Sequence, residues 1–331
     1  MSMFFPDTAG VHRQEEYTMG KRTLLIGSTG GFGGAMLRPL LATGHEVSVL
    51  LRPGRLPRAG VNVIYGDALQ FDDLHRAAEG HDNIVCGLNF PYTTWAKNWP
   101  QAVTALGRVA SEQGARVVFP TNVYGFGPRF SEPLAEDAPR QAPTTQGRLR
   151  NEIEDRLVDA TTSGARLLLI RAGDFFGPGA RNTWFHHMTK NAHRGGALLS
   201  PAHDSNLLHE WAYLPDLAQV AVRLMNHEEA TTESYHFAGH LVSSEDLFGM
   251  VEEALGQPRL PRRRIPWRAV RALAPFVPSF RMLRDTRYQW EHCIRLDDQK
   301  LRDRLGPLPH TPLNEAVAES LAMLGPMRQV A

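Results

Sequence analysis

A short apolar strand that runs straight into spaced glycines and then into a helix leaves a chain few folds to choose from. Here that stretch is Thr23-Leu-Leu-Ile-Gly-Ser-Thr-Gly-Gly-Phe-Gly-Gly34, followed by Ala35-Met-Leu-Arg-Pro-Leu-Leu-Ala-Thr-Gly44. Gly27 permits the tight turn, Gly30 lets the backbone approach a pyrophosphate, and Gly33 lets the helix pack close to the strand. The helix N-terminus favours phosphate charge. Thr29, Gly31 and Phe32 belong to the same expected phosphate turn. Glycines also mark ordinary turns, so the flanking strand and helix carry the inference that this segment binds a dinucleotide.

The rest of the first half repeats the alternation. The patterning predicts strands at 23–27, 46–51, 61–65, 83–88, 116–119 and 166–171, and helices at 32–43, 70–79, 97–113 and 146–162. Strands separated by helix-length segments imply right-handed crossovers, hence an α/β Rossmann-type doubly wound parallel sheet. Beyond residue 172 the alternation fades and aromatics, histidines and prolines thicken. The expected division is a flexible extension over 1–20, a dinucleotide-binding domain over 21–171, and a smaller substrate-binding portion over 172–331 that returns some elements to the main sheet.

Composition narrows the function. A chain of 331 residues can bury a large core, and a formal charge of +1 gives no electrostatic support for a nucleic-acid partner. Cys86 and Cys293 make no disulfide framework, so a cytoplasmic home is expected. No apolar run is long enough for stable membrane insertion, and the first 18 residues lack the charged start and apolar middle of a signal peptide. The second strand ends in Arg52-Pro-Gly-Arg55, where NAD-preferring folds place an acid on the ribose 2′-hydroxyl. An arginine there can pair with a 2′-phosphate, which favours NADP(H) over NAD(H), with Arg52 the better placed of the two.

The G-x-x-G-x-x-G spacing, the Val117-Val-Phe-Pro-Thr-Asn-Val-Tyr-Gly125 stretch and Arg171-Ala-Gly-Asp-Phe-Phe-Gly-Pro-Gly179 together resemble the extended and atypical short-chain dehydrogenase/reductases, a superfamily of epimerases, dehydratases and reductases. The resemblance implies that Asp67 meets the adenine, with Ala68 beside it. It places Gly87, Leu88 and Asn89 beneath the cofactor and Gly173 against the nicotinamide. Asp67 could equally cap the helix that follows. The family's carbonyl-polarising hydroxyl falls at Thr121. Its Tyr-x-x-x-Lys pair falls on Gln146 and Arg150, so the usual dyad is expected to be missing. Glutamine can hold a carbonyl but cannot exchange a proton, and an arginine can hold ribose hydroxyls but cannot relay. The replacement acid is sought in Tyr124, in the V-Y-G turn, or in Tyr92, after the fourth strand.

Asp174, Phe175, Phe176 and His186 are the expected substrate neighbours, Asp174 either an anchor or a turn cap. Adjacent His186 and His187 point about 100° apart on a helix, so no metal pair is expected. His209 stands where the resemblance implies an arginine on a sugar-nucleotide diphosphate. Residues 259–290 are rich in arginine and aromatics, an amphipathic face that packs structurally, covers an apolar substrate or touches a membrane surface. The leading expectation is an atypical NADP(H)-dependent oxidoreductase on a small or moderately apolar carbonyl or alcohol. An epimerase or dehydratase that retains its cofactor and a non-catalytic NADP(H)-binding sensor are the alternatives. A homodimer through the helices at 97–113 and 146–162 is an analogy from the superfamily.

Overall fold

The computed structural model describes residues 21–56, 58–128, 132–227 and 230–323; the expected extension over 1–20 lies outside them. Six strands alternate with helices through the first half: β1 (Arg22–Ile26), α1 (Gly31–Ala42), β2 (Glu46–Leu51), β3 (Asn62–Tyr65), α2 (Phe71–Ala78), β4 (Asn83–Cys86), α3 (Trp95–Gln113), β5 (Arg116–Asn122), α4 (Thr145–Thr161) and β6 (Arg166–Ala172). Each matches its expected place. The largest difference is in β5, which runs three residues further, through Pro120 to Asn122. After β6 come β7 (Asp174–Phe176), α5 (Trp184–Thr189), β8 (Leu198–Ser200), β9 (Leu208–Tyr213), α6 (Leu214–Met225), β10 (Thr232–Phe237), β11 (His240–Ser243) and α7 (Ser244–Leu255). The chain then forms β12 (Arg262–Arg264), α8 (Trp267–Leu273), α9 (Pro278–Thr286), α10 (Gln299–Leu305) and α11 (Leu313–Ala322).

The main sheet has seven strands in the order β10-β6-β5-β4-β1-β2-β3, all parallel. Its strands read as nearly continuous apolar runs because both faces are covered. Alternate residues go to opposite cores. Leu24, Ile84, Val117 and Leu167 join the cluster under α2, α3 and α4, whereas Leu25, Val85, Val118 and Leu168 join the cluster under α1 and α6. The strand order reverses direction at β1, between β4 and β2. A crevice must open there at the carboxyl ends of the strands, where ligands bind in open α/β sheets.

Beyond β6, β10 pairs in parallel with β6 and closes that edge. The other elements build a separate aromatic core around Phe176, Phe185, Trp211, Tyr213 and Trp290. They stand over the carboxyl ends of β4, β5 and β6. Among the described residues, no helix is long and apolar enough to cross a membrane.

Candidate active site

The glycine turn forms a cradle that only glycine fits. Gly27 has a φ of +76°, and a Cβ there would overlap the Gly87 backbone. A Cβ on Gly33 would overlap the Gly27 carbonyl, so the helix start, the turn and the end of β4 lie in backbone contact. Thr29 with Ser28 and Leu37 lines a shallow cleft at the outer edge of this turn, and the side chain there is Arg58, not Arg52. The Arg58 Nη2 lies 3.6 Å from where a Gly34 Cβ would be. Arg52 and Arg55 are exposed and do not line this cleft. The structure thus brings Arg58, rather than the expected Arg52, beside Ser28 and Thr29.

Over the ends of β4 and β5 lies a cavity of about 90 Å³ walled by Gly31, Phe32, Gly87, Leu88, Asn89, Gly173 and Phe175, with Tyr92, Tyr124, Arg150 and Asp174 among its polar groups and Arg181, Asn182 and Thr183 on the side of α5. Four segments far apart in sequence meet there in one hydrogen-bonded series. The Tyr92 and Tyr124 hydroxyls are 2.9 Å apart. Tyr124 donates to Asp174 Oδ1 at 3.4 Å, and Asp174 Oδ2 is 2.8 Å from His209 Nε2. The His209 ring stacks on Trp290 at 4.0 Å between centroids. Burial, seconded by the Asp174 charge, pushes the Tyr92 phenol up to about 12, and the same two causes push Tyr124 well above its ordinary value. Both phenols therefore keep their protons throughout the neutral range.

Arg150 is the unusual member. Its guanidinium lies 4.5 Å from the Trp95 ring centroid and 4.9 Å from that of Trp99, contacts with ring π-faces. It is 7% exposed, and its Nε and Nη1 have no hydrogen-bond partner. Burial lowers its pKa, with the Glu154 charge opposing. A buried cation with unmet donors facing a cavity is costly unless something polar arrives to meet it.

Several other expected residues lie elsewhere. Thr121 is buried, donates to Glu154 Oε1 at 2.5 Å and does not line this cavity. Glu154 in turn is held by Arg171, at 3.0 Å and 2.6 Å, in a buried bidentate pair. Phe119, Pro120 and Asn122 of β5 line the cavity, whereas the Thr121 hydroxyl is committed to Glu154 of α4. Gln146 is half-buried with an unpartnered Oε1 and lines none of the cavities. Asp67 accepts from the Leu69 backbone at 3.0 Å, a turn-capping role, with Ala68 buried beside it. Phe176 is 1% exposed and packs on Phe185 and Tyr213 rather than on a cavity. On α5 it is His187, not His186, that faces a cavity, because the 100° step of the helix turns His186 away. Arg58 and His209 carried no local pattern that would have marked these contacts.

The seven-stranded parallel order, the glycine cradle and the crevice at the reversal of strand order define a Rossmann-type protein that binds a nicotinamide dinucleotide. The sequence profile described as the NAD dependent epimerase/dehydratase family matches residues 23–238, and the chain belongs to that family. Solved structures share the fold at low identity. WbmH of Bordetella bronchiseptica, in complex with NAD+, has a TM-score of 0.71 and 18% identity, covering 92% of this chain and 98% of its own. UDP-glucose 4-epimerase of Bifidobacterium longum, with NAD+ and UDP, has a TM-score of 0.73 and 17% identity, with 91% and 97% covered. A double mutant of DesIV, a dTDP-glucose 4,6-dehydratase of Streptomyces venezuelae, has a TM-score of 0.74 and 19% identity, with 91% and 96% covered. No curated protein matches the chain in sequence.

Proposed function

We propose that this chain is an NADP(H)-dependent oxidoreductase for an apolar carbonyl or alcohol, and that Tyr92 is its proton donor. The observation that carries the reading is the series Tyr92–Tyr124–Asp174–His209, whose Tyr92 end opens on the cavity. The residues fit a dinucleotide: the cradle of Gly27, Gly30 and Gly33 suits a pyrophosphate, and Arg150 offers its unpartnered donors to ribose hydroxyls. When bound, the nicotinamide supplies or accepts the hydride.

The chain's own part is to place the carbonyl and move one proton. Tyr92 gives its proton to the carbonyl oxygen, and Tyr124 reprotonates Tyr92. His209 takes up a proton from solvent and Asp174 passes it to Tyr124, so each hop moves one proton toward the cavity. A phenol near pKa 12 is a weak acid, yet an alkoxide is far more basic than a phenolate, so the transfer is downhill. The same raised pKa makes Tyr92 a poor base near neutrality, which favours reduction over oxidation. On this reading Gln146 and Arg150 stand in the family's Tyr and Lys positions, and the phenol comes from a different segment.

Arg58 beside Ser28 and Thr29 supports a 2′-phosphate and hence NADP(H). Membership of the family favours a second reading, an epimerase or dehydratase that retains NAD(P). His209 counts against a nucleotide-sugar version of it, since its ring is committed to Asp174 and Trp290.

The test is a titration of nucleotide-stripped protein with NADPH and NADH. A preference for NADPH above roughly tenfold, about 1.4 kcal/mol, that Arg58→Ala removes is the expected result. Equal affinities, or a preference that survives Arg58→Ala, would refute the assignment.

A further inference from the structure

A second cavity adjoins the one at Tyr92. Tyr92 and Trp184 are also walls of this larger cavity of about 500 Å³, bounded by α5, β8, α8, α9 and the turn at Pro91–Thr93. Its walls include Leu199, Ile265, Val270, Phe280 and Leu283, and among the described residues no carboxylate lines it. The basic, aromatic segment of the sequence thus turns its apolar side inward, onto this space. A hexose or a base buried against such walls would give up water without recovering its hydrogen bonds. An apolar body gains from the same move, and the volume falls in the range that takes a drug-sized molecule.

At its far side the apolar cavity shares His187, Lys190 and Leu199 with a third cleft, which adds Arg194 and Arg263. No acidic side chain among the described residues lines that cleft. Among the described residues, none of Lys190, Arg194 and Arg263 forms a salt bridge, whereas Arg262 next door pairs with Glu245 and Glu252. Three unpaired cations at the mouth of an apolar cavity form a site for an anionic group. The three spaces adjoin through these shared walls, in the order proton donor, apolar body site and cationic end.

We propose that the substrate is an amphiphile: a carbonyl or alcohol carbon at one end, an extended apolar body, and an anionic group, carboxylate or phosphate, at the other. The inference rests on the oxidoreductase reading for which end reacts, but the binding site itself stands on the cavity and its rim. Its test therefore uses non-reacting ligands and reads binding alone.

The protein is titrated by calorimetry with octanoate, decanoate and dodecanoate, with methyl dodecanoate, with dodecyl phosphate, and with UDP-glucose. Affinity is expected to rise along the acid series by up to about fourfold per buried methylene. Dodecanoate is expected to bind about tenfold tighter than its methyl ester at low salt, a gap that salt narrows. The double variant Lys190→Gln/Arg263→Gln, both at exposed positions, should erase that gap and leave the ester's affinity unchanged. Leu283→Asp should abolish chain-length dependence, and Val270→Phe, which fills the cavity without adding polarity, should do the same if the aspartate variant misfolds. Tighter binding of dodecanoate than of dodecyl phosphate assigns the end group as a carboxylate, and the reverse assigns a phosphate. Affinity independent of chain length, an acid–ester gap that persists in the double variant, or UDP-glucose binding tighter than every amphiphile would overturn the proposal. Amphiphile binding without turnover of any carbonyl analogue would instead fault the oxidoreductase reading alone.

Discussion

Replacing Tyr92 by phenylalanine separates the proton-donor role from a packing role, because the structure makes the two costs very different. The ring stays: it stacks on Trp95 at 4.5 Å, and phenylalanine keeps that contact. Only one side-chain hydrogen bond is lost, the 2.9 Å contact with Tyr124. The Tyr124 hydroxyl still has Asp174 Oδ1 as a partner, so no buried donor is orphaned. The stability cost is then that of one net hydrogen bond, about 1 kcal/mol, which in a chain of this size moves Tm by about 2–4 °C at most. Loss of a positioned general acid costs about 10²–10⁴ in rate, or about 3–5 kcal/mol of barrier. The assay is single-turnover oxidation of NADPH with a saturating carbonyl substrate, alongside a thermal melt and an NADPH titration. The expected outcome is a fall of at least 100-fold in the chemical step with Tm and nucleotide affinity nearly unchanged. The wild-type reductive rate should also stay flat from pH 6 to 10 as far as this phenol is concerned, because its pKa is near 12. A Tyr92→Phe rate within threefold of wild type, with intact binding, would refute the assignment of the donor.

Two further substitutions probe groups that the fold keeps under strain. Arg150→Met should stabilise the nucleotide-free protein by about 1–3 kcal/mol, since it removes a buried cation with unmet donors while keeping the stem between Trp95 and Trp99. It should weaken dinucleotide binding at least tenfold, and a variant that binds NADPH as well as wild type would remove Arg150 from the cofactor site. Glu210 is buried on β9 and accepts from the Leu296 backbone through Oε2, while Oε1 has no partner, and burial pushes its pKa up to about 8. A carboxyl raised above its unfolded value contributes least where it must ionise, so its native-state advantage is present below about pH 4.5 and is lost as pH rises toward 8. Glu210→Gln should therefore raise Tm at pH 8 and leave it nearly unchanged at pH 4.5, as read by paired melts; an equal shift at both pH values would contradict the buried, protonated carboxyl.

The sequence alone determined the Rossmann frame. Each strand in the first half is a short apolar run with turn residues at its ends, and each helix fills the interval a crossover requires. The glycines at 27, 30 and 33 are read directly because their role is local: a turn, a backbone approach and a helix start lie within seven residues. Tyr92 and Tyr124 could be named because each sits at the end of a predicted strand, where crevice residues must be.

What the tertiary structure decided is how the remaining polar groups are spent. Thr121 and Asn122 are neighbours in sequence, yet the pleat sends Thr121 to Glu154 and Asn122 to the cavity. On paper Arg52 is better placed than Arg55, and only the path of the loop brings Arg58 to the phosphate turn. Asp174 and His209 lie 35 residues apart, and their hydrogen bond exists because β7 pairs with β9. The apolar cavity is assembled from α5, β8, α8 and α9, none of which carries a pattern for it alone. Local rules reach as far as one strand, turn and helix; which side chains then face one another depends on register, loop path and the docking of distant elements, and those are properties of the folded chain.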